Sequence, residues 1–214
     1  MTATEKTYRE LIDLPDVVLV MEKVQQQIEQ ENQKRADFHD LVHENMKAEF
    51  INGEIIMHSP VKSRHWIAVT NLTTFLNYHV LKNNLGLVGS EKVMIHLTRN
   101  DYEPDVVFFG MEKATNFTPT QMLFPAPDFV AEVLSDSTEK KDRGIKFRDF
   151  EAHGVQEYWI IDPEAESVEQ YLLSDKKEYI LQQKLVQKGV LKSSAVEDFD
   201  IEISILFNLK KLSK

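Results

Sequence analysis

Two carboxylates in this chain stand where water-seeking side chains are out of place. Glu132 lies inside the apolar run Phe129-Val130-Ala131-Glu132-Val133-Leu134, and Asp105 follows Pro104 and precedes Val106-Val107-Phe108-Phe109. An ionisable group in an otherwise buried strand costs free energy unless it is paired or bound to a metal. If the two strands are neighbours, the carboxylates come to comparable heights and make an oxygen-lined pocket suited to a hard divalent cation, Mg²⁺ or Mn²⁺. Such an ion polarises a phosphate oxygen and lowers the pKa of its bound water. A lysine nearby would neutralise charge that builds on phosphorus. Asp142, Lys146 and Phe150 fall at four-residue steps on one helical stripe, so that lysine could come from the helix after Glu132. Phe150 favours an inward-facing stripe, since an exposed aromatic gains little. The alternative is a helix-surface Asp142–Lys146 pair worth only about 0.3–0.5 kcal/mol.

The elements that would carry these residues follow from pattern. Residues 16–47 are expected as one long helix with a narrow stripe, Val17, Met21, Val24, Ile28, then Phe38 and Val42, interrupted at Glu31 and Arg35. His39 and His43 stand one turn apart there, but HDLVH lacks the glutamate of a zinc-protease motif, and surface histidines are expected. Asn52-Gly53 marks a tight hairpin turn, with Glu54 just after it. Ser59-Pro60 and Ser63 open a second helix with Trp66, Val69, Leu72, Thr73, Leu76 and Val80 on one side. His65 in its first turn could serve the core edge or a site. One strand is expected from Gly86 through Leu97, and residues 112–126 read as an irregular loop. A helix from Ser137 or Thr138 should stop at Gly154. The strand Tyr158–Asp162 follows, with Tyr158 and Trp159 as core, and 167–207 alternates as strands including Ile201–Phe207.

Bulk properties narrow the classes. The 214 residues suffice for one domain with a substantial core. No stretch approaches the roughly 20 apolar residues of a membrane span. The polar start MTATEKTYRELIDLP has no signal-peptide core. Zero cysteines remove disulfides, thiolate catalysis and zinc-thiolate sites. A cytoplasmic protein without membrane contact is the expectation. The net charge of −10 argues against nucleic-acid binding through a broad basic surface. Its distribution is uneven: residues 1–54 hold 12 acidic and 6 basic side chains, whereas 138–148 holds 5 basic against 2 acidic. That basic segment could meet phosphates or be a solvated helix face.

Taken together, Pro104-Asp105, Glu132-Val133-Leu134-Ser135, Asp142, Lys146 and Gly154-Val155 with the run to Asp162-Pro163, preceded by FINGEI, Ser59-Pro60, His65 and Asn71-Leu72, resemble the Uma-two family of restriction-endonuclease-like proteins. That family belongs to the PD-(D/E)XK nuclease superfamily. The resemblance covers about residues 47–207. It implies an α/β (α+β) restriction-endonuclease-like core, a mixed central sheet flanked by helices. Residues 1–46 would then be an N-terminal helical extension, the end of 47–207 a β-rich region, and 208–214 a basic tail expected to fray. It also implies Asp105 and Glu132 as metal-binding carboxylates, with Glu54 completing the metal site or holding a water nearby. The superfamily's lysine two residues after the acid is Leu134 here, and Lys146 matches the family's replacement from the following helix. His65 matches a recurring histidine that would donate to a phosphate or orient Glu132.

The function so implied is a Mg²⁺- or Mn²⁺-dependent endonuclease that cleaves DNA by in-line water attack. A homo-oligomer, a dimer with the N-terminal helix as its candidate pairing surface, is the expected assembly. The competing reading is a catalytically weak or inactive nuclease fold that serves binding or assembly, favoured by the charge of −10 and by Leu134. A glycosidase using Glu54, Asp105 and Glu132 is more distant, because the motif regions carry no aromatic-rich sugar groove.

Overall fold

The computed structural model describes residues 3–43 and 46–208, so Lys210–Lys214 of the expected tail lies outside the described residues. In chain order the elements are α1 (Ala3–Ile12), α2 (Val17–Leu41), β1 (Ala48–Ile51), β2 (Glu54–Met57), α3 (Ser63–Asn83), β3 (Gly86–Ser90), β4 (Met94–His96), β5 (Asp101–Tyr102) and β6 (Val106–Gly110). There follow α4 (Met111–Ala114), β7 (Leu123–Phe124), β8 (Phe129–Val133), α5 (Glu139–Asp142), α6 (Ile145–Ala152), β9 (Glu157–Asp162), β10 (Ser167–Leu173), β11 (Tyr179–Val186), β12 (Val190–Lys192) and β13 (Asp200–Glu202).

The main sheet has six strands in the order β11-β10-β9-β8-β6-β3. Only β8 and β9 run parallel in it, and a parallel pair needs a long crossover, which α5 and α6 supply. Three neighbouring strands bury both faces, so their alternate residues serve two cores. Val106, Phe108, Phe129, Ala131, Trp159 and Ile161 pack on Ala68, Leu72, Leu76 and Val80 of α3. Val107, Phe109, Val130, Tyr158 and Ile160 face the other way, toward Phe150 of α6 and Ile95 and Tyr102 of a second sheet. That second sheet has the order β2-β1-β5-β4-β7. Glu132 alternates with Ala131 and Val133, so it points into the space between the two sheets.

Several expectations are corrected. The strand expected from Gly86 to Leu97 is two strands in different sheets, because Glu91 adopts φ 68° and turns the chain between them. The helix after Glu132 is broken at Gly144, where an added Cβ would lie 2.5 Å from the Lys140 carbonyl oxygen. The loop 112–126 contains β7, and Phe117 and Phe124 pack on Phe109. Ile203–Ile205 is a short 3₁₀ turn rather than strand. Trp66 is half-exposed, and the buried stripe of α3 runs instead through His65, Ala68, Val69, Leu72, Leu76 and Val80.

In α2 the interruptions of the apolar stripe prove to be its anchor. Glu31, Arg35 and Phe38 are buried, whereas Met21, Val24 and Ile28 are exposed. Arg35 grips both oxygens of the fully buried Asp101 at 2.6 Å, and Arg99 binds Glu31 through two hydrogen bonds of 2.8 and 2.9 Å. His39 is not free on the surface either: its Nε2 lies 2.8 Å from Asp101 Oδ2. Breaking a buried ion pair costs about 3–5 kcal/mol. Arg35→Ala should lose stability of that order in urea unfolding, with Asp101 stranded.

A second tie joins the α5–α6 crossover to the sheet. Glu169 of β10 accepts from Arg143 Nη1 at 2.8 Å, Lys184 Nζ at 2.9 Å and Tyr171 Oη at 2.7 Å. Burial pushes its carboxyl up, but these donors outweigh burial and hold it down to about 2, against an ordinary 4.5. A depressed carboxylate stabilises the fold above its ordinary value and loses that contribution as pH falls toward the folded value. Acid unfolding followed by circular dichroism should therefore show a smaller loss of stability between pH 4.5 and 2 in Glu169→Gln than in the native chain.

Candidate active site

The antiparallel register of β6 and β8 pairs Val106 with Ala131, so the residues one step outward are Asp105 and Glu132. Backbone amides fix the two carboxylates against each other. Asp105 N–H donates to Glu132 Oε2 at 3.3 Å, and Val133 N–H donates to Asp105 Oδ2 at 2.8 Å. Both side chains are almost wholly buried, and both line a cavity of about 750 Å³ that opens between the sheets.

Lys146 reaches this place from α6. Its Nζ lies 3.1 Å from Glu132 Oε1, 2.8 Å from Glu49 Oε1 and 3.4 Å from Asp142 Oδ1. The stripe Asp142–Lys146–Phe150 does face inward, with all three residues buried. The helix is held at this angle by Asp149, which accepts from Asn100 Nδ2 at 2.7 Å and Tyr102 Oη at 2.9 Å. Tyr158 Oη donates to the Asp142 carbonyl at 2.9 Å and fixes the preceding turn.

Glu54 is not part of this group. Directly opposed residues of a hairpin share a face, and Glu49 pairs with Ile56 while Ile51 pairs with Glu54. Glu54 is therefore on the correct face at the wrong height, next to the turn at Asn52-Gly53, where it is exposed and outside the cavity. Glu49, before the turn, takes the place. It is buried, and its Oε1 also accepts Glu103 N–H at 2.9 Å, while His58 Nε2 lies 3.3 Å from Oε2. His65 does join the group, with Nε2 at 3.2 Å from Asp105 Oδ2.

The electrostatics are those of carboxylates short of positive charge. Burial pushes Glu132 well up against the pull of Lys146, and Asp142, Asp105 and Glu49 push it further. Burial likewise raises Asp142, opposed first by Lys146. Asp105 is raised by burial but held low overall by its bond to His65, by the charges of His65 and Lys47, and by Val133 N–H. In Glu49 burial is outweighed by Lys146 and His58, and the carboxyl falls to about 2. Glu103, beside them, is driven up to about 7 chiefly by burial. For Lys146 burial is overcome by Glu132, Glu49 and Asp142, which hold its ammonium well above the usual range.

A divalent cation fits this donor set. The atoms offered are carboxylate oxygens, Asp142 Oδ1 has only a 3.4 Å ion pair with Lys146 and no hydrogen bond, and the burial and crowding that lift Glu132 are what a positive ion offsets. Among the described residues two groups place three ligand atoms close together: His65, Glu91 and Asp105 in the cavity, and His39, His96 and Asp101 beneath α2. The second is already occupied by a cation, since Arg35 lies 2.6 Å from Asp101 Oδ1 and 2.9 Å from His96 Nδ1.

The mixed sheet, the crossover helices and the acid cluster define a nuclease-type fold. The chain matches a family model over residues 35–205, and it belongs to that family, Uma2, described as "Putative restriction endonuclease". Among solved structures it is similar to one titled a "putative nuclease belonging to DUF820" from Anabaena variabilis, with a TM-score of 0.66 and 20% identity over 79% of this chain and 94% of that one. No curated protein matches the chain.

Lys146→Met would leave Glu49, Glu132 and Asp142 without their shared counter-charge, and losing one partner of a buried pair costs about 3–5 kcal/mol. A lower Tm by scanning calorimetry is expected. Millimolar Mg²⁺ should raise the Tm of the variant more than that of the native chain, because binding to the folded state alone stabilises it.

Proposed function

We propose that this protein is a divalent-metal-dependent endonuclease acting on DNA phosphodiester bonds. The observation that carries the reading is the meeting of Asp105 and Glu132 in one strand register, at the bottom of an open cavity, with a lysine ammonium 3.1 Å from Glu132. Asp105 and Glu132 would hold Mg²⁺ or Mn²⁺, with Glu49 close by on the other side of Lys146. Bound there, the ion would supply Lewis acidity toward a phosphoryl oxygen and an acidified water.

The chain's own residues prepare the site. Lys146 keeps Glu49 ionised, pulls Glu132 toward its ionised form against burial, and holds both in place by pairing with each. His65 orients Asp105 through its Nε2 contact. The walls exclude bulk water from the carboxylates, which strengthens every charge interaction among them. The cavity mouth carries Lys62, Arg64 and Lys141. The first two are tied to Asp136 and Glu164 at 2.6 and 2.9 Å, so the rim is a lattice of paired charges rather than a bare basic surface. Such a rim suits a protein of net charge −10 that must still admit a polyanion locally.

With Mg²⁺ or Mn²⁺ present, the purified chain should cut plasmid or oligonucleotide DNA. Asp105→Ala and Glu132→Ala should each reduce cutting to background, and Glu54→Ala should leave it unchanged. Continued cleavage by both of the first two variants would remove these residues from the reaction. A native chain that folds, binds a partner and never cuts would instead favour the binding-module reading.

A further inference from the structure

Two lysines of the cavity lining, Lys146 and Lys47, contact its buried carboxylates, and they differ in what they can reach. Lys146 is enclosed: its ammonium lies within 3.4 Å of three carboxylates, and its side chain is 3% exposed. Little of its surface is open to a ligand. Lys47 is the opposite case. It precedes β1 by one residue and, two positions before Glu49, lies on the same face of the chain as that buried acid. Its ammonium pairs with Glu91, lies 3.7 Å from Asp105 Oδ1, and its side chain is 20% exposed in the lining of the cavity.

Glu91 is built to hold it. This residue takes the left-handed conformation, φ 68°, in the turn between β3 and β4, and its N–H donates to the Asp105 carbonyl at 3.1 Å. A non-glycine residue at positive φ is strained unless its surroundings require it. Here the turn sets a carboxylate beside the strand that bears Asp105, with Lys47 between the two acids. The other basic residues of the lining have different positions: Lys62 and Arg64 are engaged at the rim, and Lys141 is on α5. Among the described lining lysines and arginines, Lys47 alone has an ion-pair contact with Asp105.

We propose that Lys47 is the lysine that meets the substrate phosphate, held ready by Glu91, and that Lys146 serves only as the buried counter-ion of Glu49, Glu132 and Asp142. The inference rests on the nuclease reading and deepens it by naming the group that faces the polyanion. A phosphate brought to Asp105 would place its oxygens beside a cation that already has one exposed side. Lys47 then exchanges part of its pairing with Glu91 for hydrogen bonds donated to a phosphate oxygen. No bond in the chain is made or broken in this exchange. Glu91 becomes a positioning residue, and Lys47 a residue that touches substrate.

The test compares Lys47→Ala, Lys47→Arg and Glu91→Gln with the native chain. Binding of a fluorescein-labelled duplex oligonucleotide is followed by anisotropy in Ca²⁺ over a range of salt concentrations, beside Tm and Mg²⁺-supported cleavage. Loss of one phosphate contact should weaken binding and reduce the salt slope by about 1 in Lys47→Ala, and Lys47→Arg should restore the slope. Cleavage by Lys47→Ala should fall on the order of 10²-fold, as for loss of one charge-stabilising donor, with Tm nearly unchanged. Glu91→Gln should keep the native salt slope while cutting more slowly, since the cation remains but is less well placed. The proposal is overturned if Lys47→Ala binds with native affinity and slope, or if its only change is a lower Tm. When the native chain binds and cuts and Lys47→Ala matches it, Lys47 alone is reassigned. When the native chain neither binds nor cuts, the nuclease reading falls and this inference with it.

Discussion

The constraint on which the rest depends is one strand register. Once Val106 lies opposite Ala131, Asp105 and Glu132 are buried side by side at the lining of the cavity, and each is further bound by the other strand's amide. Burial is the largest penalty on each charge, and for Glu132 the neighbouring acids Asp142, Asp105 and Glu49 add to it. A fold that only needed stability would place apolar side chains there, since replacing buried charges with well-packed hydrophobic groups is often neutral or favourable. The retained charges therefore argue for chemistry at this point.

Much of the surrounding architecture answers that burial of charge. The break at Gly144 lets α6 turn so that Lys146 enters between Glu49 and Glu132. Asp149, one turn further along, is pinned by Asn100 and Tyr102, and the adjacent Asp101 is gripped by Arg35 of α2. The long N-terminal helix is thus connected to the lysine-bearing helix through the strand β5. The family match begins at residue 35, within the stretch of α2 from Glu31 to Phe38 that is anchored on the core.

Much of this was legible in the chain itself. Asp105, Glu132 and the inward stripe of Lys146 could be read because each places a charge where the apolar pattern has no room for one. Glu49 was open to the same reasoning, since it sits in Ala48-Glu49-Phe50-Ile51, but the Asn52-Gly53 turn drew attention to the acid on its far side. Register decided between them, and register is set by a pairing that no local pattern displays. Asp142 was legible on the same stripe as Lys146, whereas Glu91 lay behind an apparently continuous strand. The anchor of α2 was misread as an interruption, because a buried Arg–Asp pair looks like a polar gap until both partners are seen. Glu157 similarly lacked a visible role. It is fully buried and accepts from Trp159, Gln170 and Ser193 side chains and from the amides of Ser194 and Ala195, pinning the last segment to the sheet.

The central claim is that the crowded acids form a cation site, with Lys146 sharing the charge. A crystal of the full chain soaked in Mn²⁺, with anomalous differences recorded at a wavelength where manganese scatters strongly, tests this most directly. A peak in contact with both Asp105 and Glu132, with Lys146 still beside Glu49, is the expected result. A peak confined to His39, His96 and Asp101, or no peak in the cavity at saturating Mn²⁺, would contradict it.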